Sequence, residues 1–437
     1  MPPVKRNKLQ TAYISGFLSI SPMLFFFFLF IATFLITGDF YKISLSALFC
    51  ISSIYAVFTL RHKSIAERIK IFSRGAGQEN LMLMIWIFIL AGAFAQTAKD
   101  IGAIDSVVKV ALYFFPSQLI LAGMFITSCF VSLSIGTSVG TVAALVPISV
   151  GIANSMGEPA AIIVASVVGG AFFGDNLSFI SDTTIASTKT QGCELNDKFK
   201  ANFLIALPAA IITVALYVFI SNNQPHEFTN ITFYDLIKTL PYIVVLTTAI
   251  CGMNVFTVLT IGNLLTGIAG ISLGILNIEN WMASLGNGII SMGELIIISM
   301  LAGGMLEIIR ENGGINFIID KISRRINSKR AGELAIGAMV GITNVCTANN
   351  TVAIISVGKI AKDLSRRFNI NPCKSASILD TFSCVVQGLI PYGAQILMAS
   401  ALSRVQPIGI LSYMYYPIIL GTTSIICILV RFPRKYS

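Results

Sequence analysis

Charge is what this chain of 437 residues has least of: Asp, Glu, Lys and Arg make up 11% of it, against about 25% in soluble domains. No polar stretch is long enough to fold alone, which excludes a separate water-soluble domain. No phosphate-binding loop occurs either, so nucleotide-driven work is excluded and ion gradients are left as the energy source. The eight cysteines are scattered, mostly within apolar runs, with no metal or disulfide spacing. No small-residue cleavage site follows the basic start, residues 1–10, so the first apolar run is expected to remain as an uncleaved helix. What fills the chain instead is apolar: 55% hydrophobic residues at a mean hydropathy of +0.81. That is the composition of an all-α polytopic membrane protein. The net charge of +10 fits the Lys/Arg excess of cytoplasmic loops better than a nucleic-acid partner.

Charge-free windows of about 20 residues mark spans. They predict helices near 16–37 (including the run Phe25 to Phe28, expected to face lipid), 43–60, 81–98, 201–220, 239–257, 259–276, 286–308 and 407–430. An amphipathic piece is expected near 104–115. The window 116–157 carries no charge, yet it reads as too short for two spans and a loop. Its middle, Ser132 to Thr141, is small and polar, and such backbone is tolerated at membrane depth only inside protein or beside a cavity. A re-entrant hairpin is therefore expected there, and a second at 333–358 with the polar tip Asn344 to Thr351. Residues 159–188 read as a helix broken at Gly174 to Thr184, and the helix after 374 as broken at Gln387 to Gly393.

The halves resemble each other. Gly92 to Ile104 matches Gly303 to Ile315, Thr141-Val142-Ala143 matches Thr351-Val352-Ala353, and Pro159 matches Pro372, all at a spacing of 210 to 213 residues. Three matches in order point to an internal duplication, with units 1–220 and 221–437. With the N-terminus inside, all but five of the 30 Lys and Arg fall in inside segments; Lys42, Lys99, Lys109, Lys238 and Arg404 fall outside. The loop at Gly102 is then outside and its counterpart at Gly313 inside. The expectation is two inverted repeats with about ten spans, two re-entrant hairpins and two broken helices, both termini inside the cytoplasmic membrane. Inverted repeats whose broken helices meet near the midplane are a transporter architecture.

The chemistry is expected where the four discontinuities converge. Asp175 is the first candidate for an ion- or proton-binding carboxylate and Asp182 the second, because a buried intramembrane acid is costly. A helix-capping role is the alternative for either. Asn176, Ser178, Ser181 and Thr183 surround them in sequence. The hairpin tips add Thr137, Ser138, Asn344, Thr347, Asn349 and Asn350, for which helix–helix hydrogen bonding is the alternative. Asp380 is either an intramembrane partner or a first-turn acid favourable to the helix dipole. Glu294 is a candidate proton carrier, and Glu307 is expected to pair with Arg310. A hard cation such as sodium takes oxygen ligands of this kind.

The segment Gly170-Ala171-Phe172-Phe173-Gly174-Asp175, with Ser178 and Ser181-Asp182-Thr183-Thr184 following, resembles the signature of the NhaC-type Na+/H+ antiporter family within the wider ion-transporter superfamily. Leu379-Asp380 through Leu389-Ile390-Pro391-Tyr392 is similar to that family's second motif. The resemblance implies a secondary antiporter, not an enzyme, with Asp175 and Asp182 as functional acids and metal (sodium) ligands. It implies no cofactor; sodium ion, proton and membrane lipid are the partners, and a homodimer is left open. The second half departs from the family pattern at Ala348-Asn349-Asn350 and Gly393-Ala394-Gln395, which keeps a small organic acid or amino acid as the alternative cargo. An intramembrane aspartyl protease is disfavoured: Phe172 stands where its Gly-x-Gly-Asp motif needs glycine.

Overall fold

A computed structural model describes residues 4–37, 43–114, 116–179, 181–221, 231–323 and 326–436. The first three residues of the basic start, Lys42 and the junction 222–230 between the expected units lie outside the described residues. Within them the chain is helical throughout, without a strand. The first half contains α1 (Val4–Thr37), α2 (Leu45–Thr59), α3 (Ile65–Ala76), α4 (Glu79–Asp100), α5 (Ala103–Phe114), α6 (Ser117–Ile135), α7 (Ser138–Met156), α8 (Ala160–Leu177), α9 (Asp182–Gln191) and α10 (Leu195–Ile220). The second half opens with α11 (Phe233–Ile250), α12 (Val255–Ser272), α13 (Ile278–Ser291), α14 (Gly293–Glu311) and α15 (Gly314–Ser323). It continues with α16 (Lys329–Thr347), α17 (Asn350–Arg367), α18 (Pro372–Gln387), α19 (Ala394–Ser403), α20 (Pro407–Leu411) and α21 (Tyr415–Leu429). Among the described residues, 9 helical stretches are long and apolar enough to cross a membrane, and α2, α19 and α21 are shorter apolar helices. The protein is a multi-pass membrane protein.

Helical hairpins form at both expected places, the first with legs each long enough to span, and their tips share one backbone conformation. Gly136 closes α6 at φ +76° and Thr137 opens α7 at φ −148°. Ala348 closes α16 at φ +49° and Asn349 opens α17 at φ −146°. One left-handed residue followed by one extended residue reverses the chain, so almost nothing is spent on the turn. The window judged too short for two spans consequently holds two helices of 19 residues each. At 1.5 Å per residue each is about 28 Å long, close to the thickness of a hydrocarbon core.

Both expected breaks form as well. Asp, Asn and Ser compete with helical backbone for hydrogen bonds. At the end of α8, Ser178 N–H still reaches the Gly174 carbonyl, but its Oγ donates to the Leu133 carbonyl of α6 at 2.8 Å. Between α18 and α19 the breaker is Pro391, which has no N–H to donate and clashes with the preceding turn. The glycines of the first motif serve packing: a Cβ on Gly170 would meet the Phe125 carbonyl and Ser128, and one on Gly174 would meet Ser132 and the Leu133 amide. This small-xxx-small face lets α6 approach closely, and Ser128 and Ser132 donate to the Val167 and Ala171 carbonyls at 2.5 and 2.6 Å.

Packing partners exchange between the halves. Helix α4 packs on α13 and α12, while α14 packs on α3 and α2. Likewise α7 meets α19 as α17 meets α9, and α8 meets α21 as α18 meets α10. Several boundaries differ from the expected ones. The basic segment after α2 is an amphipathic helix, α3, rather than a loop, with a capping box at Ser64 and Glu67. The span expected at 286–308 starts earlier and is interrupted between α13 and α14, and the last is split into α20 and α21. Phe26 does not face lipid: it is 1% exposed and packs against Phe49 and Tyr392.

Candidate cation site

Asp175 lies two residues before the end of α8, 5% exposed. Its carboxylate accepts from Ser138 Oγ at 2.7 Å and from Ser181 Oγ at 2.5 Å, with Asn350 Nδ2 at 3.5 Å. Ser138 opens α7, Asn350 opens α17, and Ser181 precedes α9. Ser138 Oγ in turn accepts from Gln395 Nε2 at 2.9 Å, and Gln395 Oε1 accepts from Gln387 Nε2 at 3.0 Å. Three of the four discontinuities thus reach one carboxylate directly, and the fourth reaches it through Ser138. Thr183 Oγ1 is 2.9 Å from Ser181 Oγ and extends the oxygen set.

These groups face a cavity of about 740 Å³. Its polar lining includes Asp175, Asp182, Thr183, Gln387, Gln395 and the two tips; Trp86 and Phe256 form part of its apolar wall. Among the described residues no Lys, Arg or His lines it. Asp182 is exposed to solvent on the first turn of α9. Gln387 is 1% exposed, yet its Oε1 has no hydrogen-bond partner among the described residues. A buried orphan acceptor lining the same cavity as a carboxylate is a place where a cation or a donor is favoured. Carboxylate, hydroxyl and amide oxygens suit a hard cation. Among the described residues no group of three or more His, Cys, Asp or Glu is placed to hold a metal ion.

The sequence-predicted residues divide between the cavity and its frame. Thr137, Ser138, Asn349, Asn350, Asp175, Asp182 and Thr183 line the cavity, and Ser181 touches its carboxylate. Ser178 stitches the break to α6. Asn344 Nδ2 donates to the Ser383 carbonyl at 2.8 Å, tying α16 to α18. Thr347 Oγ1 donates to the Asn349 carbonyl at 3.0 Å and holds the tip. Asn176 turns away from the cavity; its carbonyl accepts from Lys198 Nζ at 2.7 Å and from Asn202 Nδ2 at 2.8 Å. Glu307 does approach Arg310, at 3.9 Å, but its shorter partner is Arg74 at 2.8 Å on α3. Glu294 lies outside this cavity.

Asp380 is no first-turn acid. It stands well inside α18, 0% exposed, and forms an ion pair with Lys198 of α10, itself 1% exposed. Thr184 Oγ1 lies 2.9 Å from Lys198 Nζ and 3.1 Å from Asp380 Oδ2. Lys198 therefore grips the end of α8 through Asn176, the start of α9 through Thr184, and α18 through Asp380. From sequence, Lys198 falls among the basic residues of the inside segments, ahead of the span expected at 201–220. The available signal was its spacing: Lys198, Ala201, Asn202, Ile205, Ala206 and Ala209 form one buried stripe on α10 at helical period.

Known proteins match along nearly the whole chain. Na(+)/H(+) antiporter NhaC of Bacillus subtilis (strain 168) is 27% identical over 82% of this chain and 85% of that protein. The NhaC antiporter of Alkalihalophilus pseudofirmus is 26% identical over 71% and 73%. The malate-2H(+)/Na(+)-lactate antiporter of Bacillus subtilis is 20% identical over 78% of each. The profile of the Na+/H+ antiporter family matches residues 8–221 and 226–432. With that coverage, and with the motif glycines, the buried Asp175 and the broken helices all in place, the chain belongs to the Na+/H+ antiporter family.

Proposed function

We propose that this protein exchanges sodium ions for protons across the cytoplasmic membrane by alternating access, with Asp175 as the carboxylate that binds either ion. The observation that carries this is the placement of one buried acid where four chain discontinuities converge, with no cationic side chain among the described residues that line the cavity. Sodium takes the carboxylate together with hydroxyl and amide oxygens from Ser138, Ser181, Thr183, Asn350 and Gln387; a proton takes the carboxylate alone. Binding is then mutually exclusive, which is the requirement for exchange. Thr137 and Asn349 hold the two tips in place, and Asp182 stands in the cavity as a second acid.

The units 1–220 and 221–437 act as inverted repeats in this reading. The exchanged packing of α4, α13, α3 and α14 and the matching tip conformations support it, and the basic loops support termini on the inner side. The absence of Lys, Arg and His among the described residues lining the cavity counts against an organic anion as cargo. In everted membrane vesicles, sodium-driven dequenching of a proton-sensitive dye is expected for the wild type and lost in Asp175→Asn. Undiminished sodium-driven proton flux in that variant would overturn the assignment.

A further inference from the structure

A second cavity, of about 370 Å³, lies away from Asp175 and includes Ser44, Leu45, Glu294, Leu295, Ile298 and Ser400 in its lining. Its position in the fold is not arbitrary. Ser44 and Leu45 stand 210 residues before Asn254 and Val255, and Glu294, Leu295 and Ile298 stand 211 residues after Leu83, Met84 and Ile87. All five of those counterparts line the main cavity. Ser44 and Asn254 even share a local role, each N-capping its helix, α2 or α12. The two cavities are therefore lined at equivalent positions with the contributions of the two halves exchanged. They differ in lining: the main one includes Asp175, whereas the second includes the buried side chains of Leu295, Ile298 and Leu397 and not Asp175.

We propose that the second cavity is the vestibule of the opposite membrane face, closed from Asp175 in this conformation, and that Glu294 is the carboxylate that gathers monovalent cations there. This rests on the antiporter reading and on its inverted repeats, which put equivalent cavities on opposite faces; Ser44 follows the outside residue Lys42 by two positions, which makes the second cavity the outer one. Glu294 is exposed in the first turn of α14, just past the interruption that follows α13. Ser46 Oγ is 3.3 Å from its Oε1, and Ser44 Oγ is 2.8 Å from Ser46 Oγ, so hydroxyls lead up to the acid. Among the described residues no ion pair forms to it and no Lys, Arg or His lines the cavity. The equivalent residue of the main cavity is Leu83, so the charge is no relic of the duplication. It belongs to this face alone, where the main cavity instead uses Asp182.

Two measurements on the full chain test this. Half-saturating sodium is determined separately from each face, in everted and in right-side-out vesicles. Glu294→Gln is expected to raise the outer-face value by about tenfold relative to the inner-face value, the lower end of what a charge focused in a cleft supplies. Equal changes on both faces, or none, would overturn the role of Glu294. Independently, Ser400→Cys is expected to add labelling by a membrane-impermeant cationic thiol reagent from the outer face and none from the inner face, compared with the parent protein. Added labelling from the inner face, or from neither, would overturn the vestibule. A wild type without sodium-dependent proton movement would instead defeat the antiporter reading, and the labelling would still decide where the cavity opens.

Discussion

Removing Lys198 should be far more damaging than removing Lys198 and Asp380 together. Both members of the pair are withdrawn from solvent, at 1% and 0% exposure. In Lys198→Met, the Asn176 carbonyl keeps Asn202 Nδ2 at 2.8 Å and Thr184 keeps Asp380 at 3.1 Å. The loss therefore concentrates on one carboxylate, left with Thr184 and the weak donor Cys384 Sγ at 3.7 Å. Breaking a buried ion pair from one side costs about 3–5 kcal/mol, whereas replacing both members with apolar side chains is often neutral. Lys198→Met is thus expected to lose about 3–5 kcal/mol and Lys198→Met/Asp380→Leu to regain most of it. Reversible unfolding by sodium dodecyl sulfate in mixed micelles would measure both, with Asp380→Leu closing the double-mutant cycle. If the two single changes add to the double within about 0.5 kcal/mol, the residues are not coupled and the clamp is refuted.

Two further outcomes follow from packing and pairing. Gly174→Ala places a methyl against Ser132 and the Leu133 amide; overpacking of this kind costs about 1–3 kcal/mol, read as lowered thermal stability, and displaces Asp175 enough to raise half-saturating sodium. Arg74→Met removes the 2.8 and 3.1 Å hydrogen bonds to the buried Glu307; a loss of about 1 kcal/mol and faster proteolysis within α3 are expected, with sodium affinity retained.

The helices, hairpin tips and breaks were legible because each has a local cause. Apolar length marks the spans, Gly136 and the polar tips mark the reversals, and Asp175-Asn176 and Pro391 mark the interruptions. Residue number alone also brought Ser138, Asn350 and Asp175 to one place, since the repeat spacing aligned their discontinuities. The directions of side chains were not legible. Asn176 and Ser178 neighbour Asp175 in sequence, but a helix turns about 100° per residue, so Asn176 faces α10 and Ser178 faces α6. Lys198 was missed because loop and helix differ there only in which face of α10 is covered, and that depends on α18, far away in the chain. The hairpin legs were underestimated because the turn's length is set by one residue adopting a left-handed conformation.

The uncapped start of α9 has a consequence for any ion nearing Asp175. Ser181, the residue positioned to cap that helix, makes no side-chain cap bond and gives its hydroxyl to Asp175 instead. The amino end of a helix carries the equivalent of about +0.5 elementary charge, and here Asp182 and Thr183 of its first turn face the cavity. Left alone, that end would make this part of the cavity electropositive. An ionised Asp182 opposes it with a full negative charge. The potential along the entry path is thus set by the difference between a backbone dipole and one side chain.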